Sequence, residues 1–135
     1  MIDTTVSNSQ SILNRFYLTI PRPHIVAAAA SDIDEVVALF GALHSYNASL
    51  DQHFALAEEW ESLLRAEFAA TCQQSDKLWL LVKDGDKAVG LLIAAIHTDS
   101  PMFKHRQWVE VEALYVASSH RNQGLAHTLL NRVYS

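Results

Sequence analysis

At 135 residues and 50% hydrophobic content, the chain carries enough apolar material for one domain with a real core, which excludes a disordered or repetitive protein. A formal net charge of −5, with the basic residues scattered, argues against a general nucleic-acid surface, which would need a basic face to neutralise phosphates. No apolar run is long enough to span a bilayer and Met1 to Gln10 lacks the pattern of a secretion signal, so the expectation is a soluble, cytoplasmic protein with no nucleic-acid or membrane partner.

Residues 1–23 read as an N-terminal extension, polar with an apolar interruption from Ile12 to Ile20, and closed by Pro21-Arg22-Pro23. The main domain is expected over 24–135. His24 to Ala30 reads as a first strand. Ser31-Asp32 then offers a helix cap, and Ile33, Val36, Val37, Phe40 and Leu43 repeat at helical spacing. Ser45 to Leu56 connects to a second helix marked by Trp60, Leu63, Leu64 and Phe68. Glu58, Glu59 and Glu61 fall near its N-terminal end, where a helix dipole favours acids. The single Cys72 sits near the end of that helix with no evident base beside it. It cannot form an internal disulfide and reads as structural.

Lys77 to Lys83 and Ala88 to His97 are apolar stretches separated by the turn signal Asp84-Gly85, which predicts an antiparallel hairpin. Thr98 to Arg106, with Pro101, reads as a loop, and Gln107 to Val116 as a fourth strand. Arg121-Asn122-Gln123-Gly124-Leu125-Ala126 then opens a helical pattern whose stripe is Leu125, Leu129, Leu130 and Val133. A glycine at such a strand-to-helix turn lets a ligand approach the backbone, and the first helical turn offers unpartnered N–H groups and a positive dipole end. The segment is therefore an anion site, and pyrophosphate suits it. A Gly-x-Gly-x-x-Gly fingerprint and a Gly-Lys-Ser/Thr phosphate loop are both absent.

With Val111-Glu112-Ala113-Leu114-Tyr115-Val116 in front of it, the hexapeptide resembles the acetyl-CoA signature of the GCN5-related N-acetyltransferases (GNAT). The specific likeness covers Val109 to Leu130, and the order strand, helix, helix, three strands, helix extends it from His24 onward. The resemblance implies an α+β fold with a mixed sheet, acetyl-CoA as cosubstrate, and acetyl transfer to a primary amine of a small molecule or a protein. It further implies main-chain contacts of Leu114, Tyr115 and Val116 with pantetheine, and of Asn122, Gln123, Gly124, Leu125, Ala126 and His127 with pyrophosphate. Arg121 would support the turn or meet phosphate.

The family continues after this helix with a strand, a helix and a further strand, so the expectation is a domain incomplete at its C-terminus. An open fourth strand would favour self-association into a homo-oligomer. A non-catalytic CoA-binding module, or an inactive remnant of such an enzyme, is the alternative function.

Glu110 and Glu112 lie two apart on one strand face, and Glu112 matches the acid sometimes assigned as general base in the family. A carboxylate near its normal pKa is a weak base toward an ammonium ion. Its expected contribution is to attract the cation and order a water. The resemblance implies that acceptor selectivity is set between the first two strands, here Leu43 to Trp60, which holds His44, Tyr46, Asn47, Asp51, His53, Glu58 and Glu59; acids there could hold an amine, or serve the dipole of a helix start. His120 and His127 flank the glycine turn. The histidines form no compact metal motif, so no metal is expected.

Overall fold

A computed structural model describes residues 23–134. The sequence reading of residues 1–22 lies outside the described residues. Strand β1 (His24–Ala27) is followed by a short 3-10 turn, Ala30–Asp32, and by helix α1 (Ile33–Leu50). A second 3-10 turn, Gln52–Phe54, leads to helix α2 (Trp60–Thr71). Strands β2 (Lys77–Asp84), β3 (Lys87–Thr98) and β4 (Gln107–Val116) come next. The 3-10 turn Ser118–His120 then precedes helix α3 (Leu125–Tyr134). The strands form one antiparallel sheet in the order β1-β2-β3-β4. This is the expected α+β architecture.

β2 and β3 read as almost unbroken apolar runs because both faces of the sheet are covered. On one face, Trp79, Leu81, Leu91, Ile93 and Ala113 pack against Val36, Val37 and Leu39 of α1 and Leu64 and Phe68 of α2. The Phe68 and Trp79 rings meet edge to face at 5.0 Å, and the Trp79 indole N–H donates to Thr71 Oγ1 at 2.9 Å. On the other face, Leu80, Val82, Leu92 and Ala94 receive Leu129 of α3, with Leu125, Leu130 and Val133 beside it. The hairpin turns where expected, and Gly85 supplies the positive φ of +66° that the turn requires.

Several expectations need correction. β1 stops at Ala27, three residues early, because the chain turns into the Ala30–Asp32 turn. Asp32 stands at the N-cap position of α1 without a capping bond. Its carboxylate instead accepts from the Ala29 N–H at 2.8 Å and from Lys83 Nζ at 2.7 Å. Leu63 is exposed rather than part of the α2 core. α1 runs on to Leu50, so the first half of the expected connector Ser45 to Leu56 is helical.

In β4, Ile93 pairs with Ala113 and Ala94 with Val111, leaving Glu112 as the extra residue of a β-bulge. The bulge resets the alternation. Ala113 and Tyr115 pack with the α1 and α2 side, and Leu114 with the α3 side, the reverse of an unbroken period of two from Glu110.

Candidate functional site

The cradle begins where β4 ends. The Ala117 N–H donates to Val89 O at 2.8 Å, which carries the exit of β4 along β3. The Ser118–His120 turn follows, and the Arg121 side chain folds back so that Nε–H donates to Val116 O at 2.9 Å, its guanidinium 5.7 Å from the Tyr115 ring centroid. This bond ties the Arg121 side chain to the end of β4. Asn122 (φ +66°) and Gly124 (φ +76°) both take the left-handed conformation. Asparagine and glycine are the residues that tolerate it best, which explains their presence here.

Gly124 O accepts from both the backbone N–H and Oγ1 of Thr128, at 3.0 and 2.9 Å, so Gly124 occupies the N-cap position of α3. The N–H groups of Leu125, Ala126 and His127 open the helix, with the positive end of its dipole. A Cβ built on Gly124 would meet nothing within 4 Å, so the space over this backbone is open.

Two adjoining cavities share Val116, Arg121 and Ala126. The smaller, about 280 Å³, is walled by His120, Asn122, Gly124 and Leu125 as well. The larger, about 360 Å³, lies between the end of β4, at Leu114 and Tyr115, and Leu43, Tyr46 and Asn47 of α1. Eight of the ten residues expected at the cofactor thus line one or other of these adjoining cavities. Gln123 and His127 are exposed on the loop and the first helical turn and line neither cavity. Leu43, Tyr46 and Asn47 stand at i, i+3 and i+4, a helical face that was legible had the helix been carried past Leu43.

The two carboxylates lie away from this depression, toward the start of β4. Glu112 Oε1 sits 2.5 Å from Lys77 Nζ, which also meets Glu67 Oε2 at 2.8 Å. Burial pushes the Lys77 ammonium down, but its hydrogen bonds to Glu112 and Glu67 outweigh this and leave its pKa above the ordinary lysine value. Glu110 Oε1 is 3.1 Å from His97 Nε2, and the His97 ring stacks on Trp108 at 4.1 Å.

In the region expected to select the acceptor, Asp51 caps the Gln52–Phe54 turn by accepting from the His53 N–H at 3.0 Å and contacts the His53 ring at 2.8 Å. These bonds to His53 hold the Asp51 carboxyl below its usual range. Glu59 is the residue before α2, where an acid serves the helix dipole. The His44 ring packs on Phe40, with centroids 4.3 Å apart, and burial lowers its pKa. His120 is tied down, with Nε2 at 2.7 Å from Asp84 Oδ2 and Nδ1 at 2.7 Å from Ser119 Oγ. Cys72 caps the end of α2 and packs against the core. Among the described residues, no group of three or more metal-ligating side chains occurs, and no helix is long and apolar enough to cross a membrane.

An antiparallel sheet thus delivers its fourth strand into a left-handed glycine turn at a helix N-terminus, within an α+β fold. A model of the acetyltransferase (GNAT) family matches residues 42–135, and the chain belongs to that family. Its fold is that of solved members. A possible acetyltransferase from Clostridium difficile 630 superposes with a TM-score of 0.66 at 17% identity, over 84% of this chain and 69% of that one. The aminoglycoside antibiotic 6'-N-acetyltransferase of Acinetobacter haemolyticus gives 0.63 at 19%, over 82% and 68%. An aminoglycoside N-acetyltransferase in complex with CoA gives 0.66 at 17%, over 84% and 67%. No curated protein matches the sequence.

Proposed function

We propose that this chain is an acetyl-CoA-dependent N-acetyltransferase acting on a primary amine of a small molecule or protein. One observation carries the reading: the left-handed Gly124, the first turn of α3 and the strand end Leu114 to Val116 border two adjoining cavities that share Val116, Arg121 and Ala126. The residues fit CoA. The N–H groups from Asn122 to His127 hold its pyrophosphate, and the main chain of Leu114, Tyr115 and Val116 aligns its pantetheine arm. CoA carrying an acetyl group supplies a thioester activated toward amines.

The chain's own residues must deliver that amine in its neutral form. For an amine of pKa near 10.4, this costs about 4.6 kcal/mol at pH 7, from about 3.4 units at 1.36 kcal/mol each. Glu112 is ion-paired with Lys77, and a carboxylate so engaged is a poor direct base. Its role in this reading is to draw the ammonium form of the acceptor toward β4 and to order a water that takes the proton, with Glu110 extending the same acidic strand face. The protein works in the cytoplasm and pairs with a second copy through β4, whose one strand neighbour among the described residues is β3.

Calorimetric titration with acetyl-CoA, followed by thiol release across an amine panel, tests the reading. Saturable binding with amine-dependent release is expected, and a folded sample that binds no acetyl-CoA would refute it. The ion pair of Glu112 also favours a second reading, a CoA-binding module without catalysis. Binding with no release for any amine would establish that one. Light scattering that finds only monomer would remove the pairing through β4.

A further inference from the structure

Residues 121–124 are exposed, and two of them hold left-handed backbone. A loop of this kind loses backbone entropy when an anion fixes it. Whatever orders it beforehand therefore favours binding. Two ties to the strands are already described, Ala117 N–H to Val89 O and Arg121 Nε–H to Val116 O. A third is made by His120, immediately before the loop.

His120 is only 17% exposed at its side chain, and both ring nitrogens have partners, Asp84 Oδ2 and Ser119 Oγ, each at 2.7 Å. A neutral ring satisfies both at once, Nε2–H donating to the Asp84 carboxylate and Nδ1 accepting from the Ser119 hydroxyl. Asp84 is the last residue of β2, paired with Lys87 across the Gly85 turn. The bond therefore joins the hairpin to the entrance of the loop over a separation of 36 residues. His120 lines the smaller cavity, yet with its nitrogens committed it has no ring donor left for a phosphate.

We propose that His120 and Asp84 are positioning residues for CoA, acting through the loop rather than on the ligand. This rests on the reading of Asn122 to His127 as the pyrophosphate cradle. Because the tie acts on the pyrophosphate end alone, it discriminates between CoA and pantetheine, which lacks that group. A residue needed merely for folding would affect both ligands alike.

The test is calorimetry of the full chain with CoA and with pantetheine, on variants whose circular dichroism shows them folded. His120→Phe keeps the ring volume and removes the bond. Asp84→Leu removes it from the other end and leaves no charge behind. Asp84→Asn keeps an oxygen that accepts from Nε2–H. The first two are expected to weaken CoA about tenfold, the size of one lost hydrogen bond to a charged group, and to leave pantetheine unchanged, while Asp84→Asn stays within about twofold of the native chain. Native CoA affinity in His120→Phe or Asp84→Leu, or an equal loss for pantetheine, overturns the proposal. If the native chain binds pantetheine but gains nothing from the rest of CoA, the cradle reading itself has failed, and this inference with it.

Discussion

Lys77 Nζ stands between Glu112 Oε1 at 2.5 Å and Glu67 Oε2 at 2.8 Å, joining the bulge of β4 to α2 across the face of the sheet. Glu112 is therefore held in place by a structural cation on a strand two positions away in the sheet. Under the electrostatic role proposed for it, Glu112→Gln is expected to lower kcat/KM by about tenfold, short of the ~10²–10⁴ that general acid–base catalysis contributes. A pH–rate profile of the variant decides the matter. A loss beyond a hundredfold, regained as the pH approaches the acceptor's own pKa, would make Glu112 the direct base.

Gly124 carries φ +76°, with open space where a Cβ would stand. Gly124→Ala is expected to cost about 1 kcal/mol of stability from the left-handed backbone alone. Gly124→Glu adds bulk and negative charge at the proposed pyrophosphate site, and is expected to abolish CoA binding while the fold persists. Circular dichroism and calorimetry on the two variants check this, and native affinity in Gly124→Glu would remove the site from the cradle.

The features legible in the sequence were local ones. Asp84-Gly85 announced the hairpin because a turn needs positive φ within two residues, and Arg121 to Ala126 announced the cradle because strand end, glycine and helix start are contiguous. What stayed hidden depends on partners far along the chain. The bulge at Glu112 follows from β4's register against Ile93 and Ala94, which no single-strand pattern encodes. Asp84 read as a turn residue, and its tie to His120 exists only once β2 and the cradle are brought together. Asp32 read as a helix cap, but Lys83, 51 residues away, drew its carboxylate elsewhere. Leu43, Tyr46 and Asn47 were missed as one cavity face because the helix continues beyond its last core-marking leucine.

Leu129 is fully buried among Leu80, Val82, Leu92 and Ala94, and it is the one described α3 residue that is. Leu129→Ala is expected to cost about 2–5 kcal/mol, the range for emptying a leucine site in a core. Since α3 carries the cradle's N–H groups on its first turn, CoA affinity should fall together with stability. Urea unfolding of the free and CoA-loaded chain measures both. A stable variant with native CoA affinity would mean that α3 holds its place without this anchor.

Asp32 and Lys83 predict how stability depends on pH. The hydrogen bond from Lys83 lowers the Asp32 pKa; burial opposes it, and the Ala29 N–H lowers it further, for a net shift below the usual aspartate value of 3.8. Its stabilisation is therefore fully present above 3.8 and is lost as the pH falls through the lower folded value. The same pair raises Lys83 above the usual lysine value of 10.5, chiefly through the Asp32 hydrogen bond, so that contribution holds below 10.5 and is lost as the pH rises through the raised value. Asp32→Asn, which leaves a polar group without its ion pair among β1, α1 and β2, is expected to cost about 1–3 kcal/mol at pH 7. Thermal midpoints of native and variant chains should converge as the pH drops below 3.8, because the native chain then loses what the variant already lacks. A gap between them that stays constant from neutral pH into that acid range would mean that the ion pair contributes nothing and that the loss comes from packing alone.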